Sequence, residues 1–232
     1  MNPKRPIIAI DGPVGAGKSV AARALARELG FSYLNTGAMY RAVALAARAA
    51  GVGPDDANVE ALLRPVLVAI KIKFDGDKIM LNGRDVSASV GEPEIGDLAS
   101  RFSALGAVRA RMRELQRAAG ADGAVVMEGR DIGTAIFPDA EFKFFLDADV
   151  KTRAHRRFEE LKGKGASITE PEVLEQLLER DRRDRGRELA PLKRADDAML
   201  IDSTKLSIDA VVAAMKAQIN ARINAGKDLK RA

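Results

Sequence analysis

The 232-residue sequence predicts an α/β fold, a parallel sheet covered by helices on both faces, with a small antiparallel insert. Three observations carry that expectation. Five short apolar runs alternate with helical patterns along the chain. A glycine-rich turn joins the first run to the first helix. One stretch in the middle breaks the rhythm with tight-turn signals. Strands joined by crossover helices bury both faces of their sheet, so they read as unbroken apolar runs.

The runs are Ile7–Asp11, Phe31–Leu34, Ala124–Met127, Phe142–Asp147 and Ala198–Asp202. After the first comes Gly12-Pro13-Val14-Gly15-Ala16-Gly17-Lys18-Ser19, then an Ala/Leu-rich helical stretch from Val20 to Leu29 stopped by Gly30. The second run leads into a helix over Ala38–Ala50 ending at Gly51, with Asn35 or Thr36 as its N-cap. Ile70–Phe74, Lys78–Leu81 and Arg84–Ser87 are linked by Asp75-Gly76-Asp77 and Asn82-Gly83, which predicts a three-stranded antiparallel meander. Helices follow through Ser100–Phe102 and Val108–Ala119. Lys162-Gly163-Lys164-Gly165 forms a flexible break, and Thr169-Glu170-Pro171-Glu172 reads as a capping box opening a new helix. Ile208–Ile223 is the last helix, and the polar tail Ala225–Ala232 is expected to fray. A ligand belongs at the carboxyl ends of such strands, near the point where strand order reverses.

Composition removes several classes of function. With no cysteine there are no disulfides, thiolate zinc sites or thiol nucleophiles. A single histidine, His155, argues against a histidine-rich metal site or a serine–histidine triad; among Arg153, Arg156 and Arg157 it is expected on a solvated helix face. No apolar run nears the ~18–20 residues of a membrane span, and the first residues lack the apolar core of a secretion signal, so a cytoplasmic protein is expected. The net charge of +5 invites a nucleic-acid reading. Its distribution argues against one, because the basic stretch Lys151–Arg194 is interleaved with acids and the chain has two tyrosines and no tryptophan for stacking bases.

Residues 12–19 satisfy G-x-x-x-x-G-K-S/T between a strand and a helix, the context the motif requires. Glycines let backbone N–H groups turn in around phosphate oxygens, and the helix N-terminus adds a positive field. Lys18 reaches the outer phosphates and the Ser19 hydroxyl can ligate Mg2+. The motif therefore predicts binding of a nucleoside triphosphate. Arg41 follows a helix start that already favours anions, which suggests a second phosphate site. Glu128 closes an apolar strand, where a carboxylate orients Mg2+ through water, and Arg130 and Asp131 either project into a cleft or pair with each other. In Glu179–Arg187, Arg180, Arg183, Asp184 and Arg187 share one face at helical spacing, and Asp181 with Arg185 makes a suitable surface pair. Five arginines in nine residues exceed what pairing needs, and arginine suits bidentate phosphate contacts.

Together these stretches resemble the bacterial cytidylate kinases, a family of P-loop nucleoside monophosphate kinases. The resemblance is carried by Ile10-Asp11-Gly12-Pro13 with the P-loop, Thr36–Arg41, Gly129-Arg130-Asp131-Ile132-Gly133-Thr134, Phe137–Ala140, Phe145–Ala148, Arg180–Arg185, Asp202-Ser203-Thr204 and Leu206-Ser207-Ile208. It implies a P-loop NTPase three-layer fold with a five-stranded core, a monophosphate-binding insert over about 63–111 and a lid over about 150–190, the core being about 1–62 and 112–232. It implies ATP and CMP or dCMP as substrates, with ATP on Gly12, Pro13, Val14, Gly15, Ala16, Gly17, Lys18, Ser19 and Val20. Arg41 and Arg130 would then hold the CMP phosphate, and Thr36, Ser100, Arg109 and Asp131 would line the base pocket. Arg180 and Asp184 would meet the sugar, and Arg187 the transferred phosphate, with Lys18, Arg130, Arg180 and Arg187 as the catalytic set. Mg2+ would be held by Ser19 directly and by Glu128 through water. No nucleic-acid or membrane partner is implied, and a monomer is expected. The chain departs from the family pattern at four places: Val14 stands for a polar residue, Ser19-Val20 for Gly-Thr, Asn35-Thr36 for Asp-Ser, and Glu128 for Asp. A kinase of a small hydroxyl acceptor, with Asp131 as base, and an RNA-binding switch protein are the rival readings.

Overall fold

A computed structural model describes residues 5–228 and the side chains of 5–224. The tail read at Ala225–Ala232 lies outside the residues whose side chains are described. The chain gathers into two compact units. The first comprises the described residues of Met1–Tyr33, Asp122–Gly186 and Ala190–Ala232, and the second Leu34–Ala121 with Arg187–Leu189.

β1 (Ile7–Asp11) is the middle strand of a five-stranded sheet that also contains β2 (Ser32–Asn35), β6 (Val125–Gly129), β7 (Phe142–Asp147) and β8 (Met199–Asp202). The order is β2-β6-β1-β7-β8. β1 runs parallel to both neighbours, Ile8 facing Val126 on one side and Phe142 on the other, and β7 runs parallel to β8. Every residue of β1 is buried, which is why its sequence shows no polar alternation. On one face Ile8, Ile10, Phe144 and Leu146 pack against Ala21, Ala22 and Leu25 of α1 (Lys18–Leu29) and Val211 and Met215 of α8 (Ile208–Asp228). α1 ends where Gly30 turns left-handed at φ 65°, with Phe31 N–H on the Ala26 carbonyl. α6 (Val150–Gly163) starts on Asp149, whose carboxylate accepts from the Lys151 N–H at 2.9 Å. It pairs with α7 (Glu170–Gly186) through Ala154, Leu161, Val173 and Leu177. The capping box before α7 forms in part: Glu172 accepts from the Thr169 N–H at 2.7 Å, but the Thr169 hydroxyl also donates to Glu172 instead of capping the backbone.

In the second unit α2 (Thr36–Ala49) is capped by Asn35, whose side-chain oxygen accepts from the Ala38 N–H at 2.9 Å. The meander forms as read, from β3 (Ile72–Asp75), β4 (Lys78–Leu81) and β5 (Arg84–Asp85), although only the first two residues of the third run pair. Asn82 and Gly83 both adopt positive φ, the requirement of the hairpin turn their sequence announces. Ile79 and its neighbours pack on Ala42 of α2 and on Val90. α4 (Pro93–Phe102) and α5 (Gly106–Ala119) complete the unit with α3 (Val59–Ala69), a helix the sequence reading lacks. Pro65 sits inside α3 and removes a backbone donor, which masks a segment whose Leu63 and Leu67 are spaced for one buried face.

Gln116 of α5 is almost fully buried, and neither its amide nitrogen nor its oxygen has a partner among the described residues. Gln116→Met removes that unpaired amide at nearly constant volume and should stabilise the protein by about 1 kcal/mol in urea unfolding; a loss of that size would show that the amide is satisfied in solution.

Candidate active site

The first unit builds a tight cradle of backbone at the carboxyl end of β1. Gly12, at φ 148°, passes so close to β7 that a Cβ there would collide with the Leu146 carbonyl oxygen. A Cβ on Gly15 would stand 2.8 Å from the Arg153 carbonyl oxygen. Three carbonyls of the loop are held by side-chain donors: Pro13 by Lys18 Nζ at 2.7 Å, Val14 by Arg153 Nη1 at 3.2 Å and Ala16 by Ser203 Oγ at 3.0 Å. Arg156 fixes Ser203 in turn, through its hydroxyl and its carbonyl. Carbonyls committed to the protein leave the loop's N–H groups for an anion. Gly17 begins α1 with no side-chain cap, so the positive end of that helix is open to the same anion.

Cations gather around this cradle. Burial pulls the Lys18 ammonium down to about 7, and the positive fields of Arg130 and Arg180 add to that, while Glu128 and Asp11 oppose it. Arg130 donates from Nε to Asp184 at 3.0 Å and from Nη1 to the Gly129 carbonyl at 3.2 Å. Asp11, at the end of β1, accepts from the Ile132 and Gly133 N–H groups at 2.8 Å each. Burial lifts its carboxyl to about 6 although both hydrogen bonds and Lys18 lower it. These bonds start a widened turn over Ile132–Ile136, closed by Phe137 N–H on the Ile132 carbonyl, directly after Arg130 and Asp131. Tyr33 donates to Glu128 Oε1 at 2.7 Å, and burial with that carboxylate pushes the phenol up.

The second unit has its own polar centre, Ser103. Its hydroxyl donates to the Ser100 carbonyl at 2.7 Å and receives Arg187 Nη1 at 3.3 Å, while its carbonyl receives Arg109 Nη1 at 3.2 Å. The Arg109 guanidinium also lies 6.0 Å from the centre of the Tyr40 ring. Arg41 donates to the Val90 carbonyl at 2.8 Å, and Gly96 leaves room for its guanidinium. Thr36, Ser100 and Arg109 are all buried.

The family model described as cytidylate kinase matches residues 8–221. The chain belongs to the cytidylate kinase family. It is 47% identical over 221 residues to a cytidylate kinase of Citrifermentans bemidjiense, covering 95% of both chains. It is 49% identical over 213 residues to one of Syntrophotalea carbinolica, covering 90% of this chain and 89% of that one. A solved structure of an uncharacterized protein from Eubacterium ventriosum shares the fold at a TM-score of 0.51, with 14% identity, covering 93% of this chain and 99% of the other.

Among the positions that carry the cytidylate kinase pattern, the first unit brings together Lys18, Glu128, Arg130 and Arg180, and ties Asp184 to Arg130. The second brings together Ser100, Arg109 and Arg187 through Ser103. Arg187 does not share a helix face with Arg180 and Arg183, because α7 ends at Gly186. Nor does Asp181 pair with Arg185: it takes the buried Arg153 at 2.7 Å, and Arg185 lies 3.9 Å from Asp147. The arginine run therefore has two characters. Glu179 and Arg182 form a solvated ion pair, half-buried Arg183 lies 3.9 Å from the same carboxylate, and Asp181 and Asp184 face inward to hold arginines. His155 is exposed on α6, 3.2 Å from Glu170. Val14, the apolar residue of the loop, packs on the α6–α7 core. Ser103, Tyr33 and Arg153 escaped the sequence reading; only Asp11, an acid closing a wholly apolar strand, left a signal.

The folded value of Lys18 lies below the ordinary 10.5. Between the two values the unfolded chain holds a proton the folded one lacks, so this group makes stability rise with pH across that window. Below about 7 the folded protein carries the charge at a cost. Lys18→Met should therefore be more stable than the parent in urea at pH about 6, with the gain gone by pH about 10. An equal difference at both would place the lysine in water.

Proposed function

We propose that the protein transfers the γ-phosphoryl group of ATP to CMP and dCMP, giving ADP with CDP or dCDP. The observation that carries this reading is the convergence of Lys18, Arg130 and Arg180 beside a loop whose carbonyls are turned to protein donors. ATP takes the loop from Gly12 to Val20, with Lys18 on its outer phosphates. The acceptor is a phosphate oxygen that is already anionic, so no general base is needed, and catalysis consists of alignment and charge neutralisation. Arg130 and Arg41 take the CMP phosphate, Arg180 and Asp184 the sugar, and Arg187 the phosphoryl group in transit. Asp131 or Ser100 accepts from the cytosine amino group, and Arg109 donates to its ring acceptors. Uracil offers the reverse pattern at those atoms, and leaving buried groups unpaired is what discriminates against it.

The donor set near the loop suits Mg2+: Ser19 and Glu128 offer hard oxygens, and both lie against the Tyr33 phenol. Ser19 would ligate it directly and Glu128 through water, and when bound it neutralises charge on the triphosphate. The segment about 150–190 serves as a lid that excludes water from ATP, and the insert about 63–111 as the monophosphate-binding element. The protein acts as a monomer in the cytoplasm. No helix among the described residues is long and apolar enough to cross a membrane.

Coupled measurement of ADP formation with each nucleoside monophosphate tests the reading. Rates with CMP and dCMP well above those with UMP, AMP and GMP are expected. ATP binding without turnover on any monophosphate would contradict it and return the search to hydroxyl acceptors. Asp131→Ala should raise KM for CMP by about tenfold or more with a smaller change in kcat. Arg187→Ala should instead lower kcat, by about a hundredfold. An Asp131→Ala enzyme with unchanged CMP affinity would remove that residue from base recognition.

A further inference from the structure

Glu128 carries its carboxylate at the end of a side chain with one more rotatable bond than aspartate has. The structure restrains it. Tyr33, on the strand beside β6, gives its phenol hydrogen to Glu128 Oε1 at 2.7 Å. The Ser19 hydroxyl lies within hydrogen-bonding range of the same phenol oxygen. Arg23, one turn beyond Ser19 on α1, lies 5.1 Å from the centre of the Tyr33 ring. Tyr33 thus touches both side chains assigned above to the cation, and its ring is held by the helix that carries one of them.

A phenol has one hydrogen to give and lone pairs with which to receive. With its hydrogen committed to Glu128, Tyr33 receives the hydrogen of Ser19. The lone pairs of Ser19 are then directed away from the tyrosine, as a hydroxyl that ligates a cation requires. We propose that Tyr33 is a positioning residue for the divalent cation that accompanies ATP, aligning the Ser19 hydroxyl and the longer Glu128 carboxylate through one phenol oxygen. This rests on the nucleotide-site reading above. Each hydrogen bond of the chain from Ser19 through Tyr33 to Glu128 polarises the next, so breaking the middle link affects both ends. Partners of metal-binding groups set their orientation and basicity in this way.

Tyr33→Phe keeps the ring beneath Arg23 and deletes only the link. The experiment titrates Mn2+ into the full-length protein with ATP, counting free Mn2+ by its EPR signal, for the parent, Tyr33→Phe, Glu128→Asp and the double variant. ATP binding in EDTA is measured alongside. Tyr33→Phe should weaken Mn2+ binding about five- to tenfold while changing metal-free ATP affinity less than about twofold. Glu128→Asp should weaken Mn2+ by a similar factor, and adding Tyr33→Phe to it should cost less than about twofold more, because the shorter acid no longer reaches the phenol. Glu128→Asp keeps the test decisive should Tyr33→Phe fail to fold. Unchanged Mn2+ affinity in either single variant overturns the proposal. So does an equal loss of ATP affinity with and without metal, which would make Tyr33 a support of the loop itself. Parent protein that adds nothing to the grip of ATP on Mn2+ would instead overturn the nucleotide-site reading, and the proposal with it.

Discussion

Holding positive side chains together where water barely reaches is the constraint on which the rest of the first unit depends. Lys18 is almost fully buried, and Arg130 and Arg180 bear on it electrostatically. Like charges repel more strongly away from water than in it, so the arrangement persists only because carboxylates are placed against it. Asp184 takes Arg130, Asp181 takes Arg153, and Asp11 and Glu128 favour the charged form of Lys18. On the function proposed above, an incoming polyphosphate supplies the remaining negative charge. Its affinity then comes from relief of repulsion that the fold has already set up, with little rearrangement at the moment of transfer.

The sheet makes this possible by register. β1 lies between β6 and β7, with Asp11 level with Gly129 and Phe145, so the chain leaves β1 and β6 side by side. The P-loop emerges from one and Glu128 to Asp131 belong to the end of the other. Asp11 then links the two exits, because its carboxylate holds the turn that follows Arg130 and Asp131. One buried acid thereby sets the position of two residues assigned to the monophosphate. α6 and α7 are tied to the same loop: Arg153 bonds the Val14 carbonyl with one nitrogen and Asp181 of α7 with another.

What was legible in the sequence follows from the range over which each signal acts. β1 and β7 have the bounds their sequence runs predict, since buried parallel strands announce themselves as apolar runs, and β2, β6 and β8 differ from theirs by a residue or two where polar ends blur the run. The P-loop and the Asn82-Gly83 turn were legible because their chemistry is local. α3 was not, since Pro65 contradicts its helical spacing. The arginine run was ambiguous because one helix serves two surfaces. The polar ties lay beyond local reading altogether: Asp11 reaches residues 121 and 122 positions away, Tyr33 reaches Glu128 across 95, and Arg130 reaches Asp184 across 54. No periodicity encodes such pairs. The resemblance to a family located most of the residues involved, but not the contacts between them.

In the proposed nucleotide site Lys18 holds its proton loosely, ready for the charge of a polyphosphate. Calorimetry of ATP binding without metal, at about pH 8.5 in buffers of different ionisation enthalpy, reads that directly. A lysine near 7 is largely neutral at that pH and recovers its proton beside the phosphates, so uptake of close to one proton per ATP is expected. Tight ATP binding with no proton uptake would mean that Lys18 is already charged, and that the cluster is an ordinary solvated set of cations.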